Sequence, residues 1–138
     1  MRETGIIISN SKEPSLIRGV HGGVGDLYWK RVITGGHMHG DWESFEYVRL
    51  DAGGTVGTHE HSWTEEIYIF LSGTGIMRVN EDEFAVSDGD VVLTPLTGVH
   101  GLRNESDAPI EFLVIETLPP EIVAKMPSHS LTLERANK

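Results

Sequence analysis

The sequence predicts an all-β protein, an antiparallel sandwich or barrel. Three observations carry this: short apolar runs recur along the chain, turn chemistry separates them at regular intervals, and helical periodicity is scarce. Glycine supplies 16 of 138 residues, most of them as punctuation between runs. Regular spacing of such signals belongs to antiparallel sandwiches and barrels.

In order, the predicted strands are Ile6–Ser9, Leu27–Ile33, Ser44–Leu50, Thr55–His61, Glu66–Ser72, Gly75–Asn80, Glu83–Val86, Val91–Leu93, Gly98–Asn104 and Ile110–Glu116. Between them lie Asp51-Ala52-Gly53-Gly54, Ser72-Gly73-Thr74-Gly75, Asn80-Glu81-Asp82, Ser87-Asp88-Gly89-Asp90 and Ser106-Asp107-Ala108-Pro109, all turn-forming. Pro119-Pro120 ends the series because proline cannot donate to a ladder. From Glu121 onward the tail reads as short helix, strand or coil. The first 20 and last 18 residues read as extensions around one domain spanning residues 1–138.

Eleven Lys and Arg stand against 21 Asp and Glu, a net charge of −10. Apart from Lys30-Arg31 the basic residues are scattered singly, so no cationic patch for nucleic acid or an anionic membrane is expected. A chain of this size buries roughly 70% of its unfolded surface, enough for a core without staples. Cysteine is absent, which excludes disulfides, thiolate zinc sites and a cysteine nucleophile. No run is long enough to span a membrane, and no signal-peptide core precedes Ile6-Ile7-Ile8; the expected location is cytoplasmic. There is no Gly-x-Ser-x-Gly elbow, phosphate-binding loop or dinucleotide fingerprint.

Seven histidines stand in the chain, five of them between His37 and His100. In Gly53-Gly54-Thr55-Val56-Gly57-Thr58-His59-Glu60-His61, alternation along a strand puts His59 and His61 on one face, where they can share an ion. A turn through Ser62-Trp63-Thr64 returns a carboxylate toward them, and His100 is the natural fourth ligand. Glu65 and Glu66 are adjacent, and one residue reverses the face. Glu66 as ligand turns Tyr68 and Phe70 inward, whereas Glu65 would turn Ile67, Ile69 and Leu71 inward.

These segments resemble the two motifs of the cupin superfamily. Gly53, His59, His61, Glu66 and Gly73 meet every position of the first, and Gly89, Pro95, His100 and Asn104 match the second in spacing. One position departs: the second motif's internal glycine falls at Thr97, and Gly98 follows one place late. The matched motifs span residues 53–104. His21-Gly22-Gly23 and the short chain are similar to small single-domain cupins. The resemblance implies a double-stranded β-helix, or jelly-roll, barrel holding one divalent ion through His59, His61, Glu66 and His100. With three imidazoles and a carboxylate, about two positions of an octahedral ion stay open, a set that suits Mn, Fe, Ni, Co or Zn.

Among the other candidates, Arg49, Arg78 and Arg103 lie in predicted strands, where a guanidinium aimed inward would clamp a carboxylate. Tyr68 and Arg49 are the candidate catalytic groups beside the ion. His37-Met38-His39 reads as a loop at the barrel mouth and Trp63 as a lining or packing residue there. His21 reads as a loop residue and His129 lies in the tail. The resemblance implies a small-molecule ligand, expected to be anionic. It is compatible with an enzyme of the dioxygenase, decarboxylase or isomerase type acting on a small carboxylate or enolisable carbonyl compound. The alternative is a non-catalytic binding or sensing module, because fold alone does not choose. A homodimer is expected, with Ile6–Ile8 pairing against a neighbouring sheet edge.

Overall fold

The computed structural model describes residues 10–37 and 40–126. Among the described residues, ten strands build two antiparallel sheets. They are β1 (Ser15–Arg18), β2 (Asp26–Thr34), β3 (Trp42–Leu50), β4 (Thr55–Glu60), β5 (Glu65–Ser72), β6 (Thr74–Val79), β7 (Asp82–Ser87), β8 (Val91–Thr94), β9 (Val99–Arg103) and β10 (Ile110–Thr117), followed by a single-turn helix, α1 (Pro120–Val123). One sheet runs β1-β2-β3-β10-β5-β8 and the other β4-β9-β6-β7. This is the jelly-roll barrel expected from the motifs. No helix among the described residues is long and apolar enough to cross a membrane.

Nine predicted strands are present, most with ends shifted by a residue or so. The tenth, Ile6–Ser9, lies outside the described residues, as do His39 and His129. The N-terminal extension carries one strand that was not expected, β1, which pairs with β2 from Ser15↔Trp29 to Arg18↔Asp26. Its sequence, Ser-Leu-Ile-Arg, is too short and too exposed to advertise itself by alternation.

The register of the larger sheet lays its inner face out in rows. Ser44, Glu116, Glu66 and Thr94 stand side by side on β3, β10, β5 and β8. The next row is Arg31, Glu46, Val114 and Tyr68, and the next Trp29, Val48, Phe112 and Phe70. The interior therefore grades from polar to apolar along the strands. At the apolar end Phe70, Phe112, Leu50 and Ile110 meet Met77 and Leu102 of the smaller sheet in a buried core. On β5, Glu66, Tyr68 and Phe70 are buried while Ile67, Ile69 and Leu71 face outward, so Glu66 rather than Glu65 points in.

The motif residues outside the histidines have structural reasons. Gly53, Gly73 and Gly89 all have left-handed φ between 74° and 88°. Asn104, 2% exposed, donates to the carbonyls of Leu50 and Ala108 and accepts from Ser106, fastening the β9–β10 turn onto β3. The departure at Thr97 is also explained. Thr97 itself takes the left-handed conformation, φ 65°, where the motif carries glycine, and a Cβ on Gly98 would meet the Pro95 carbonyl at 2.7 Å. A β-branched residue is strained there. Thr97→Gly is expected to stabilise the fold by about 1 kcal/mol, raising the melting temperature by roughly 3–5 °C in a thermal melt; an unchanged or lowered value would show that Thr97 carries no strain.

Candidate metal centre

Both sheets contribute to one cluster at the polar end of the barrel. On the smaller sheet His59 of β4 lies directly across from His100 of β9, and His61 follows as β4 ends. Backbone bonds pin that departure: His61 N–H donates to Gly98 O and Thr97 N–H to His61 O. Strand β5 of the larger sheet brings Glu66. The Nε2 atoms of His61 and His100 lie 2.8 Å apart and those of His100 and His59 3.2 Å. Glu66 Oε2 sits against His61 Nε2 and 3.7 Å from His100 Nε2.

Each ring is oriented from behind. His59 Nδ1–H donates to the Gly57 carbonyl at 2.7 Å, which fixes its tautomer because a carbonyl only accepts. His100 Nδ1 pairs with Thr94 Oγ1 at 2.7 Å, and His61 Nδ1 faces Thr64 Oγ1 at 3.5 Å. His59 therefore presents a bare Nε2 lone pair to the neighbouring imidazoles. Outer partners of this kind are what hold metal-ligating histidines in place.

Burial depresses His59 to about 4, offset in part by the Gly57 bond, and burial with the neighbouring His61 depresses His100 to about 2. Both are neutral at physiological pH, the form in which an imidazole can ligate. Burial pushes His61 the same way, but the Glu66 hydrogen bond and charge override it and raise its pKa. Burial raises Glu66 despite His61. Glu66 Oε2 is buried with no hydrogen-bond donor of good geometry. Three nitrogen ligands and an under-satisfied carboxylate fit a divalent N/O metal and suit neither a thiophilic ion nor an all-oxygen one.

The structure adds groups that no motif spacing announced. Two ligand sets are possible: His59, His61 and His100, and also His61, Glu66 and Glu116, the ligand atoms of each lying within 4.8 Å. Ser44 Oγ lies 3.1 Å from Glu46 Oε2 and 3.2 Å from Glu116 Oε2. One hydroxyl carries one proton, so it donates to one carboxylate and accepts from the other only if that one is protonated. Burial, then the charges of Glu46 and Glu66, push Glu116 up to about 7. Arg31 reaches Glu46 at 3.4 Å. The His21 ring stacks on His59 with centroids 3.6 Å apart, and a Cβ on Gly57 would collide with the His21 carbonyl at 1.9 Å, so Gly57 is what admits the His21 turn.

A cavity of about 340 Å³ opens beside the cluster. Its polar lining is His21, Arg31, Glu46, His59, His61, Glu66 and Glu116; its apolar lining includes Ile17, Val20, Trp29, Val48, Val56 and Tyr68. Tyr68 is 5% exposed, its ring 5.0 Å from that of His100. Burial, then the charges of Glu66, Glu46 and Glu116, raise its phenol far above 10, so it stays protonated and cannot serve as a base at neutral pH.

The Arg49 expectation is corrected, and the remaining candidates lie outside the cavity lining. Arg49 is on the outer face of β3, paired with Asp51 at 3.4 Å and lying over Tyr28; it does not line the cavity. Arg78 donates to Asn80 O, and Arg103 pairs with Glu83 and Glu105. The guanidinium in the cavity is Arg31 instead. Trp63 is 57% exposed and outside the lining. His37 is exposed and accepts from Thr34 N–H, away from the cluster.

Fold and site together define a small barrel with a histidine–carboxylate cluster at one mouth of its interior. A cupin domain model matches residues 46–116, just over half of the chain, and the chain belongs to the cupin family. Among curated proteins it is similar to an oxalate-binding protein of Thermotoga maritima, 29% identical over 113 residues that cover 81% of this chain and 93% of the relative. It is also 34% identical over 71 residues to an uncharacterized protein of Methanocaldococcus jannaschii, covering 51% and 57% of the two chains. Among solved structures, a predicted oxalate decarboxylase of Thermotoga maritima superposes with a TM-score of 0.77 at 29% identity, covering 81% of this chain and 99% of that one. The cupin domain of Schizosaccharomyces pombe Cnp3 shares the fold at TM-score 0.64 and 12% identity, over 72% and 66%.

Glu116 gives a pH prediction for the metal-free protein. With its folded pKa near 7 and its ordinary value 4.5, the folded state holds an extra proton between those limits, so its stability falls as pH rises through that window. Glu116→Gln removes the effect, and is expected to be more stable than the parent by about 3 kcal/mol at pH 8 while matching it below about pH 5. Chelator-treated samples compared by thermal melts at both pH values check this; an equal gap at both would contradict it.

Proposed function

We propose that this chain is a cytoplasmic, metal-dependent cupin enzyme that acts on a small carboxylate or enolisable carbonyl compound. The observation carrying the reading is the meeting of three imidazole Nε2 atoms and Glu66 beside a cavity lined on its far side by apolar residues. His59, His61, Glu66 and His100 would hold the ion, with Glu116 as a further carboxylate within reach. A divalent ion there supplies Lewis acidity, polarising a bound oxygen and stabilising developing negative charge.

This chain's own residues do the rest. The rear contacts of Gly57, Thr64 and Thr94 keep the imidazoles aimed, Tyr68 and the apolar wall exclude water, and the Glu116–Ser44–Glu46 chain can store and pass a proton beside the ligand. That chain is what favours catalysis over mere binding, because the sequence motifs offer no acid or base apart from the ligands themselves. The names of the Thermotoga maritima relatives support an anionic ligand and leave both a binding protein and a decarboxylase open. A homodimer is proposed through the outer face of β5 and β8, where Leu71, Val91 and Leu93 are 47–64% exposed.

Dioxygen uptake and carbon dioxide release, followed on metal-reconstituted protein with a panel of small carboxylic and 2-oxo acids, test the reading. Metal-dependent turnover that falls at least a hundredfold in Glu116→Gln, with ligand binding retained, is the expected outcome. Stoichiometric binding of the same acids without turnover would identify a binding module instead.

A further inference from the structure

We propose that the cavity selects a chelating monocarboxylic acid with a bulky apolar side chain, such as a branched 2-oxo or 2-hydroxy acid, in preference to a dianion such as oxalate. This deepens the metal-dependent reading above and rests on it. Two features of the lining carry the inference, its size and the distribution of its charge.

The cavity measures about 340 Å³. Taking about 30 Å³ as one water's share of liquid volume, a six-heavy-atom dicarboxylate displaces on the order of 100 Å³ and leaves most of the space unfilled. That remaining space is not polar. Two rows beyond Glu66 on the inner face stand Trp29, Val48 and Phe112, which with Leu27 and Val56 form an apolar wall. Rows two and four residues along a strand lie about 7 and 13 Å from the first. A ligand whose carboxylate and neighbouring oxygen sit at the histidines therefore directs its other end at hydrocarbon and the Trp29 ring. Arg31 lies over that ring at 5.5 Å, steadying it as a shelf.

Charge points the same way. Three carboxylates, Glu46, Glu66 and Glu116, line the cavity against a single guanidinium, Arg31, and Arg31 is already engaged with Glu46. The arginines that would have made a second anion clamp, Arg49, Arg78 and Arg103, are turned outward. With Arg31, the three carboxylates already balance a divalent ion's charge, so a ligand monocarboxylate brings the site to −1. A dianion brings the site to −2 in a lining that already holds Glu46 and Glu116, and like charges at short range in a partly buried site repel strongly.

The test is calorimetric titration of Mn²⁺-loaded protein with three probes, oxalate, pyruvate and 4-methyl-2-oxopentanoate. The expected result is 4-methyl-2-oxopentanoate binding at least tenfold more tightly than either of the others. Trp29→Ala, and Trp29→Leu as the milder change, should bring it to within threefold of pyruvate while pyruvate affinity and Mn²⁺ stoichiometry stay as in the parent. Oxalate binding as tightly as the branched acid, or a preference untouched by both Trp29 variants, would overturn the inference while leaving the metal-dependent reading standing. Failure to bind any of Mn²⁺, Fe²⁺, Ni²⁺, Co²⁺ and Zn²⁺ would overturn both.

Discussion

Lone pairs facing lone pairs are unstable without something positive between them, and that constraint organises the polar end of this barrel. His59 is forced by the Gly57 carbonyl to carry its proton at the rear, so its front nitrogen meets His100 at 3.2 Å with nothing to donate. Glu66 adds a buried carboxylate to the same point. The fold tolerates this because the two sheets are fastened elsewhere, by the Phe70, Phe112, Met77 and Leu102 core and by the Asn104 latch. Electrostatic strain is concentrated at one end and hydrophobic stabilisation at the other, as expected of a site preorganised for a cation.

The row structure of the larger sheet links this constraint to ligand recognition. Because residues two apart on neighbouring strands stack into rows, the polarity of each position on β3, β10 and β5 sets the polarity of a layer of the cavity. Ser44, Glu116 and Glu66 give a layer that can share a proton, Arg31 and Glu46 an ion pair, and Trp29, Val48 and Phe112 an apolar end. The smaller sheet contributes the imidazoles, while β1 and the His21 turn close the side with Ile17, Val20 and a ring stacked on His59.

Much of this was legible in the chain because it is local. Alternation over Glu66-Ile67-Tyr68-Ile69-Phe70 and the His59-x-His61 spacing read out the strands, their faces and the histidines, and the motif glycines announced turns that prove left-handed. What stayed hidden is non-local. Glu46 and Glu116 are 70 positions apart in sequence and become neighbours only through the β3–β10 register. Arginine parity could not be judged without knowing which face of each strand is inner, so Arg49 looked as eligible as Arg31; the irregularity between Arg31 and Ile33 complicates β2 further. His21 owes its place to a left-handed backbone, φ 52°, and to the space left by Gly57, neither of which has a spacing signature.

The central claim is that the three imidazoles and Glu66 exist to hold a cation. Elemental analysis of protein purified without added metal, beside the same measurement on His100→Ala, tests it most directly, because His100 is fully buried, touches both other rings and has no surface role. The account predicts about one equivalent of a transition metal per chain in the parent, lost in the variant while its far-ultraviolet dichroism stays that of a β-barrel. A parent that stays metal-free after incubation with Mn, Fe, Ni, Co or Zn, or a folded variant that keeps full occupancy, would contradict it.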